Sequence, residues 1–226
     1  AAVENLRLEG IVDGVIRTGD VMFDLALSIR GLIASRSSDV LEKTGVQPQG
    51  FALVTMHRAE NTDDAARWDG IVEGLGRLGA AGLPVVWLVH PRVADKVKGL
   101  KMHGVHLLGP QPYLETQILL EAARVVITDS GGLQKEAAFH KRPCVTVRTE
   151  TEWVELLEAG VNRLVEATPE GIQSAALSAA WPESGLPKGL YGDGATSHRI
   201  AREVRRFLDD ETRSLSGTEQ SRAAKG

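Results

Sequence analysis

Short apolar runs recur along this chain and alternate with longer amphipathic stretches. The runs are Phe51–Met56, Pro84–His90, Val105–Gly109, Arg124–Thr128, Pro143–Val147 and Asn162–Val165. Several are continuously apolar rather than alternating, the pattern of parallel strands covered on both faces. Between them the spacing predicts helices over Asp64–Leu78, Tyr113–Ala123, Leu133–Phe139 and Glu150–Ala159. Trp68, Ile71, Val72, Leu75 and Leu78 share one face of the first. Thr149-x-x-Glu152 fits a capping box, and Thr168-Pro169-Glu170 is a helix start with a hydroxyl cap and proline at the first helical position. Strands alternating with helices in this way make βαβ units, hence an α/β fold with a Rossmann-like, doubly wound parallel sheet.

The ends differ from the middle. Residues 1–17 read as a short helix and a strand, and a helix is expected from about Val21 to Ser35. Ser197–Leu208 reads as a last amphipathic helix with Ile200, Val204, Phe207 and Leu208 on one side. The expected division is a connector over 1–19, one domain over 20–212 and a polar, unstructured tail over 213–226.

Composition narrows the partners. A net charge of −4 offers no basic field for nucleic acid or an anionic membrane surface. No stretch approaches the ~20 apolar residues of a membrane span. The first residues lack the apolar core of a signal peptide, and the single Cys144 has no partner for a disulfide. A reducing, cytoplasmic setting is the expectation.

In an open α/β sheet, ligands bind beyond the carboxyl ends of the strands. Asp129-Ser130-Gly131-Gly132 follows the run ending at Thr128, and a helical pattern starts at once. Such a nearly bare turn exposes backbone N–H groups at a helix N-terminus, where the peptide dipoles favour an anion such as a phosphate or diphosphate. The same residues also fit an ordinary tight turn with a capping serine. Glu136 lies about a turn further on, placed for a ribose diol. Met56-His57-Arg58-Ala59-Glu60-Asn61 concentrates an imidazole, a guanidinium, a carboxylate and an amide in one loop. His57 suits a phosphate oxygen or a proton, and Arg58 a bidentate anion contact. Asn61 reads as a helix cap. His90, before Pro91, reads as a polar strand end or a ligand contact. The six histidines are scattered and have no cysteine partner, so neither a metal site nor a cofactor is expected.

Taken in order, several segments resemble the non-hydrolysing UDP-N-acetylglucosamine 2-epimerases. They are Thr18-Gly19-Asp20-Val21-Met22-Phe23-Asp24, Thr55-Met56-His57-Arg58-Ala59-Glu60-Asn61-Thr62, His90-Pro91 and Thr128-Asp129-Ser130-Gly131-Gly132-Leu133-Gln134-Lys135-Glu136. Arg148-Thr149-Glu150-Thr151-Glu152-Trp153-Val154-Glu155 and Tyr191-Gly192-Asp193-Gly194 also fit. The resemblance implies the C-terminal half of a two-domain GT-B fold, with the last helix packing back toward the first domain. It implies interconversion of UDP-GlcNAc and UDP-ManNAc by elimination and re-addition of UDP, and a homodimer at full length. It assigns the diphosphate to Ser130, Gly131 and Gly132, the ribose to Glu136, and assistance to UDP departure to His57. Arg58 and His90 match positions at which some members bind a second, activating UDP-GlcNAc, and Glu60 and Arg148 are further candidates for substrate or activator. Thr116 stands where some members place an aromatic ring against the uracil. The family's proton-transferring carboxylates belong to its first domain, so this chain alone is expected to be inactive. Two other readings stay open, a stand-alone UDP or UDP-sugar binding module and half of a GT-B glycosyltransferase.

Overall fold

The computed structural model describes residues 2–223. Among these, six parallel strands form one sheet: β1 Ala52–Thr55, β2 Val85–Leu88, β3 Val105–Leu108, β4 Val125–Thr128, β5 Cys144–Val147 and β6 Asn162–Val165. Their order is β3-β2-β1-β4-β5-β6, the doubly wound arrangement expected from the sequence. Leu53 stands opposite Val86 on one side and Val126 on the other. The helices are α1 Ala2–Leu8, α2 Val21–Ser28, α3 Arg30–Thr44, α4 Ala59–Thr62, α5 Ala65–Ala80, α6 Ala94–Val97, α7 Tyr113–Ala122, α8 Gly131–Phe139, α9 Val154–Glu158, α10 Pro169–Ser178 and α11 Thr196–Ala223.

The continuous apolar runs have a direct structural cause. Successive strand residues point to opposite faces, and both faces are covered. Ala52, Val54, Val85, Trp87, Val125 and Ile127 pack with Ile71 and Leu75 of α5 and Ile172 of α10. Leu53, Val86, Leu88 and Val126 pack with Leu119 and Leu120 of α7 and Leu133 of α8. A third cluster joins Phe139 at the end of α8 to Leu156, Tyr191 and Phe23.

Glycines let α5 approach its neighbours closely. A Cβ on Gly70 would lie 2.1 Å from the carbonyl oxygen of Ala167, and one on Gly74 would lie 3.1 Å from Ile172 Cβ.

Four expectations are corrected. The helix expected from Val21 to Ser35 is two helices, parted at Ile29, because α2 packs on α8 whereas α3 packs on α7. The strand expected within 1–17 does not form among the described residues 2–17, which pair with no strand, and Ile11, Val12 and Ile16 are exposed. The helix expected from Glu150 begins only at Val154, because Arg148 takes the Glu152 carboxylate that a capping box would need. The tail expected from 213 instead continues α11 as far as Ala223, since adding residues to an existing helix avoids the cost of nucleation. Residues 224–226 lie outside the described ones. No helix among the described residues is long and apolar enough to cross a membrane.

Candidate active site at a topological switch

β1 and β4 are neighbours in the sheet, and the chain leaves them toward opposite flanks. The crevice this opens at their carboxyl ends is where a doubly wound sheet takes its ligand. A hydroxyl pair closes its floor, with Thr55 Oγ1 2.7 Å from Thr128 Oγ1. Thr128 Oγ1 also accepts from the Ser130 backbone N–H at 3.0 Å.

Ser130 caps α8, its hydroxyl accepting from the Leu133 N–H at 3.5 Å. The N–H groups of Gly131 and Gly132 belong to the first turn, where no intrahelical acceptor exists. Free amides at a helix N-terminus are the arrangement that suits an anion. Packing does not require glycine at 131, since a Cβ there would meet nothing closer than 3.5 Å. Trp153 Nε1 holds the turn from outside by donating to the Gly131 carbonyl at 2.8 Å.

Asp129 is fully buried between the two loops. It accepts from the backbone N–H of His57 at 3.1 Å and of Arg58 at 2.9 Å, and from Asn61 Nδ2 at 3.2 Å. His57 Nδ1 lies 3.4 Å from Asp129 Oδ1. Asn61 is therefore not the helix cap expected from the sequence. It is buried in α4, and Asp64 caps α5 instead. The demand of a buried carboxylate for donors outweighs a cap that a neighbouring aspartate supplies as well.

His57 is partly buried, and its ring stacks on that of His90 with centroids 5.0 Å apart. Desolvation lowers the His57 pKa below its ordinary value, the nearby Asp129 opposes the shift, and His90, Arg58 and Arg92 add to it. The net shift favours the neutral ring. His90 Nδ1 accepts from the Arg92 N–H at 3.1 Å, so His90 is both a strand end and a wall of the site.

A charged frame stands beside the glycine turn. Arg148, nearly buried, bonds Glu152 at 2.9 Å and lies 3.6 Å from Glu60. Arg58 lies 3.5 Å from Glu152. The Arg148 guanidinium, foremost, pulls the Glu152 carboxyl down to about 2. Glu60, Arg148 and Arg58 are thus brought together as candidates, and Glu152, set aside in the sequence as a capping residue, joins them.

Behind the turn, Lys135 makes a mostly buried ion pair of 2.6 Å with Asp20 and lies 4.2 Å from the centre of the Trp153 ring. Asp20 also caps α2, accepting from the Met22 N–H at 2.8 Å.

The crevice is a cleft of about 300 Å³, and His57, His90, Thr116, Ser130, Gly132 and Glu136 all contribute to its walls. Glu136 is mostly buried there. Burial raises its pKa, against the effect of Gln117 and Tyr113 beside it. A larger hollow of about 370 Å³ lies at the other end of α8, among Phe23, Phe139, Trp181 and Leu186, and shares no residue with the cleft. The cleft holds the convergent polar groups, which makes it the candidate site.

A family model for UDP-N-acetylglucosamine 2-epimerase matches residues 1–205. The chain belongs to this epimerase family. It is 42% identical over 206 residues to the UDP-2,3-diacetamido-2,3-dideoxy-D-glucuronate 2-epimerase of Pseudomonas aeruginosa, covering 88% of this chain and 56% of that protein. It is 31% identical over 212 residues to the UDP-N-acetylglucosamine 2-epimerase of Methanocaldococcus jannaschii, covering 89% and 57%. A crystal structure of the latter enzyme with UDP-GlcNAc and UDP superposes with a TM-score of 0.78 at 29% identity, over 90% of this chain and 58% of that one. The chain thus spans somewhat over half the length of these epimerases.

All the sequence-derived candidates in this epimerase-family chain gather at one end of the sheet, on the cleft or its charged rim. Asp129, Lys135 and Trp153 also stand at the site, none of them among the sequence-derived candidates. A signal existed for the first: a carboxylate directly after a wholly apolar parallel strand is buried unless the loop turns out at once, and a buried carboxylate needs donors.

Proposed function

We propose that this chain is the nucleotide-binding half of a non-hydrolysing UDP-N-acetylglucosamine 2-epimerase. The observation that carries the reading is the bare N-terminus of α8 facing His57 across a cleft that Glu136 also lines. In this reading the amides of Gly131 and Gly132, with the Ser130 hydroxyl, hold the diphosphate, and Glu136 accepts from the ribose hydroxyls. A base removes the proton at C2, the C1–O bond breaks with its electrons going to UDP, and a 2-acetamidoglucal remains. Protonation at C2 on the opposite face and re-addition of UDP at C1 give UDP-ManNAc. UDP is released and then added back, so no water is consumed. The His57 imidazole assists departure by donating to the diphosphate. The base and acid at C2 are assigned to the first half of the full-length enzyme. Arg58, His90, Glu60 and Arg148 line the rim, where the outer part of the substrate or a second UDP-GlcNAc would lie.

Calorimetry of this chain with UDP tests the reading. Binding without turnover is expected, and epimerisation is expected only with the first half present. No heat with UDP would sink the assignment. Gly131→Ala is the sharpest variant. Its methyl has space, so the melting temperature should hold while affinity for UDP falls about tenfold or more through obstruction of the amides. An unchanged affinity would move the diphosphate elsewhere.

The pH dependence of binding is a further expected outcome. Desolvation lowers the pKa of the free ring, and a bound diphosphate favours the imidazolium, so binding takes up a proton. Affinity for UDP-GlcNAc, whose diester has no phosphate titrating in this range, should rise as pH falls through the higher value of the complex. It should level off below the value of the free chain. His57→Ala should flatten this profile, and an unaltered profile in that variant would remove His57 from the linkage.

A second reading concerns the sugar. The 42% identity to a 2-epimerase of a diacetamido uronate favours a UDP-2-acetamido sugar bearing a C6 carboxylate. Comparing turnover of UDP-GlcNAc and of that uronate by the full-length enzyme decides between them.

A further inference from the structure

Asp129 ends β4 as a carboxylate with no exposed surface, yet the donors it draws on come from the loop after β1. Two backbone N–H groups and the Asn61 amide converge on it, and the His57 ring presents Nδ1 3.4 Å away. Asn61 is fixed in turn. Its Oδ1 accepts from Arg67 Nη2 at 2.7 Å, which directs Nδ2 toward Asp129 and the Val147 carbonyl. The stacked ring of His90 closes one side of the imidazole and leaves little freedom for it to turn over.

We propose that Asp129 is the positioning residue of the epimerase site. It fixes His57 as the Nδ1–H tautomer with Nε2 turned to the diphosphate, and it locks the β1 loop to the glycine turn so that both meet the anion as one body. The inference rests on the UDP-binding reading of the cleft. The charged and titratable groups facing the His57 ring are Asp129 after β4, His90 and Arg92 after β2, and Arg58 from its own loop. Of these only Asp129 favours the imidazolium. In the complex both ring nitrogens carry protons: Nδ1–H points to Asp129, and Nε2–H donates to the departing diphosphate. The carboxylate stays ionised throughout and no proton passes to it.

The test is nitrogen NMR of the chain labelled at histidine, with and without UDP-GlcNAc, alongside Asp129→Asn. The free wild-type chain should show His57 protonated at Nδ1, and added UDP-GlcNAc should protonate Nε2 as well. In Asp129→Asn the Nδ1–H preference should vanish and the ring should titrate at lower pH. In the full-length enzyme kcat should fall by about tenfold or more. An Nε2–H tautomer in the wild-type chain overturns the proposal without any variant, should Asp129→Asn not fold. So does an unchanged tautomer and titration in the variant. Calorimetry of the wild-type chain with UDP separates the two claims. Absence of heat sinks the UDP reading, whereas heat together with an Nε2–H ring sinks the role of Asp129 alone.

Discussion

Replacing His57 by alanine in the full-length enzyme is expected to lower kcat for epimerisation by about 10²–10⁴-fold, the range typical of a positioned acid–base group. The fold should survive. The imidazole is partly exposed, and Asp129 would keep the two backbone donors and the Asn61 amide that hold it. The truncation removes a ring, not the joint between the loops. Affinity for UDP should fall less than kcat, because the amides at the start of α8 are untouched. The measurements are the initial rate of UDP-ManNAc formation, the heat of UDP binding and a thermal melt. A full rate in a folded variant would end the catalytic role assigned to His57. A variant that melts early would report a structural one.

Gly70→Ala is expected to cost about 2–4 kcal/mol of stability, although alanine is the better helix former by about 1 kcal/mol. The sign follows from what the methyl meets. On Gly70 it would fall 2.1 Å from the Ala167 carbonyl, and that oxygen belongs to backbone leading into α10. A backbone atom cannot rotate away, so α5 and α10 must part along the seam that Ile71, Leu75 and Ile172 fill. Gly76→Ala on the same helix is the internal control. Its methyl meets nothing closer than the Met102 sulfur at 3.9 Å, and it should gain roughly 0.5–1 kcal/mol. Urea unfolding of the two variants beside the parent reads both signs. Equal effects would show that helix propensity, not the close approach, sets the outcome.

The parts of the fold legible in the sequence are those whose cause is local. β1, β2 and β4 read as strands because nearly every residue is covered on whichever face it points to, so apolar character runs almost unbroken up to the closing residue. Thr168 and Pro169 start α10 as expected, the hydroxyl accepting from the Gly171 N–H at 3.2 Å. What the sequence misled about was decided by partners outside the local pattern, most of them far along the chain. Asn61 serves Asp129, 68 positions away, rather than its own helix. Glu152 answers Arg148 and Arg58 instead of closing a capping box. Ile29 divides one expected helix because the two halves lie on different neighbours. At the site, Ser130, the two glycines and His57 were visible because turn chemistry and strand ends are local signals. Asp129 was not, since its task appears only once β1 and β4 lie side by side.

The Asp20–Lys135 pair bears on where this fold can be cut. Residue 20 lies beside the connector in sequence, yet its carboxylate is the counter-ion of a lysine set between Gly131 and Glu136 on α8. A chimera joined after position 20 would strip the cap from α2 and strand a nearly buried cation directly behind the glycine turn. Thr18 and Gly19 are bound in as well: the Thr18 carbonyl accepts from Arg199, and a Cβ on Gly19 would lie 2.3 Å from Thr196 Oγ1. Arg17 is tied in too, its Nη2 donating to the Leu190 carbonyl at 3.1 Å, so the seam for grafting falls before Arg17, and a swap that respects it leaves α8 undisturbed.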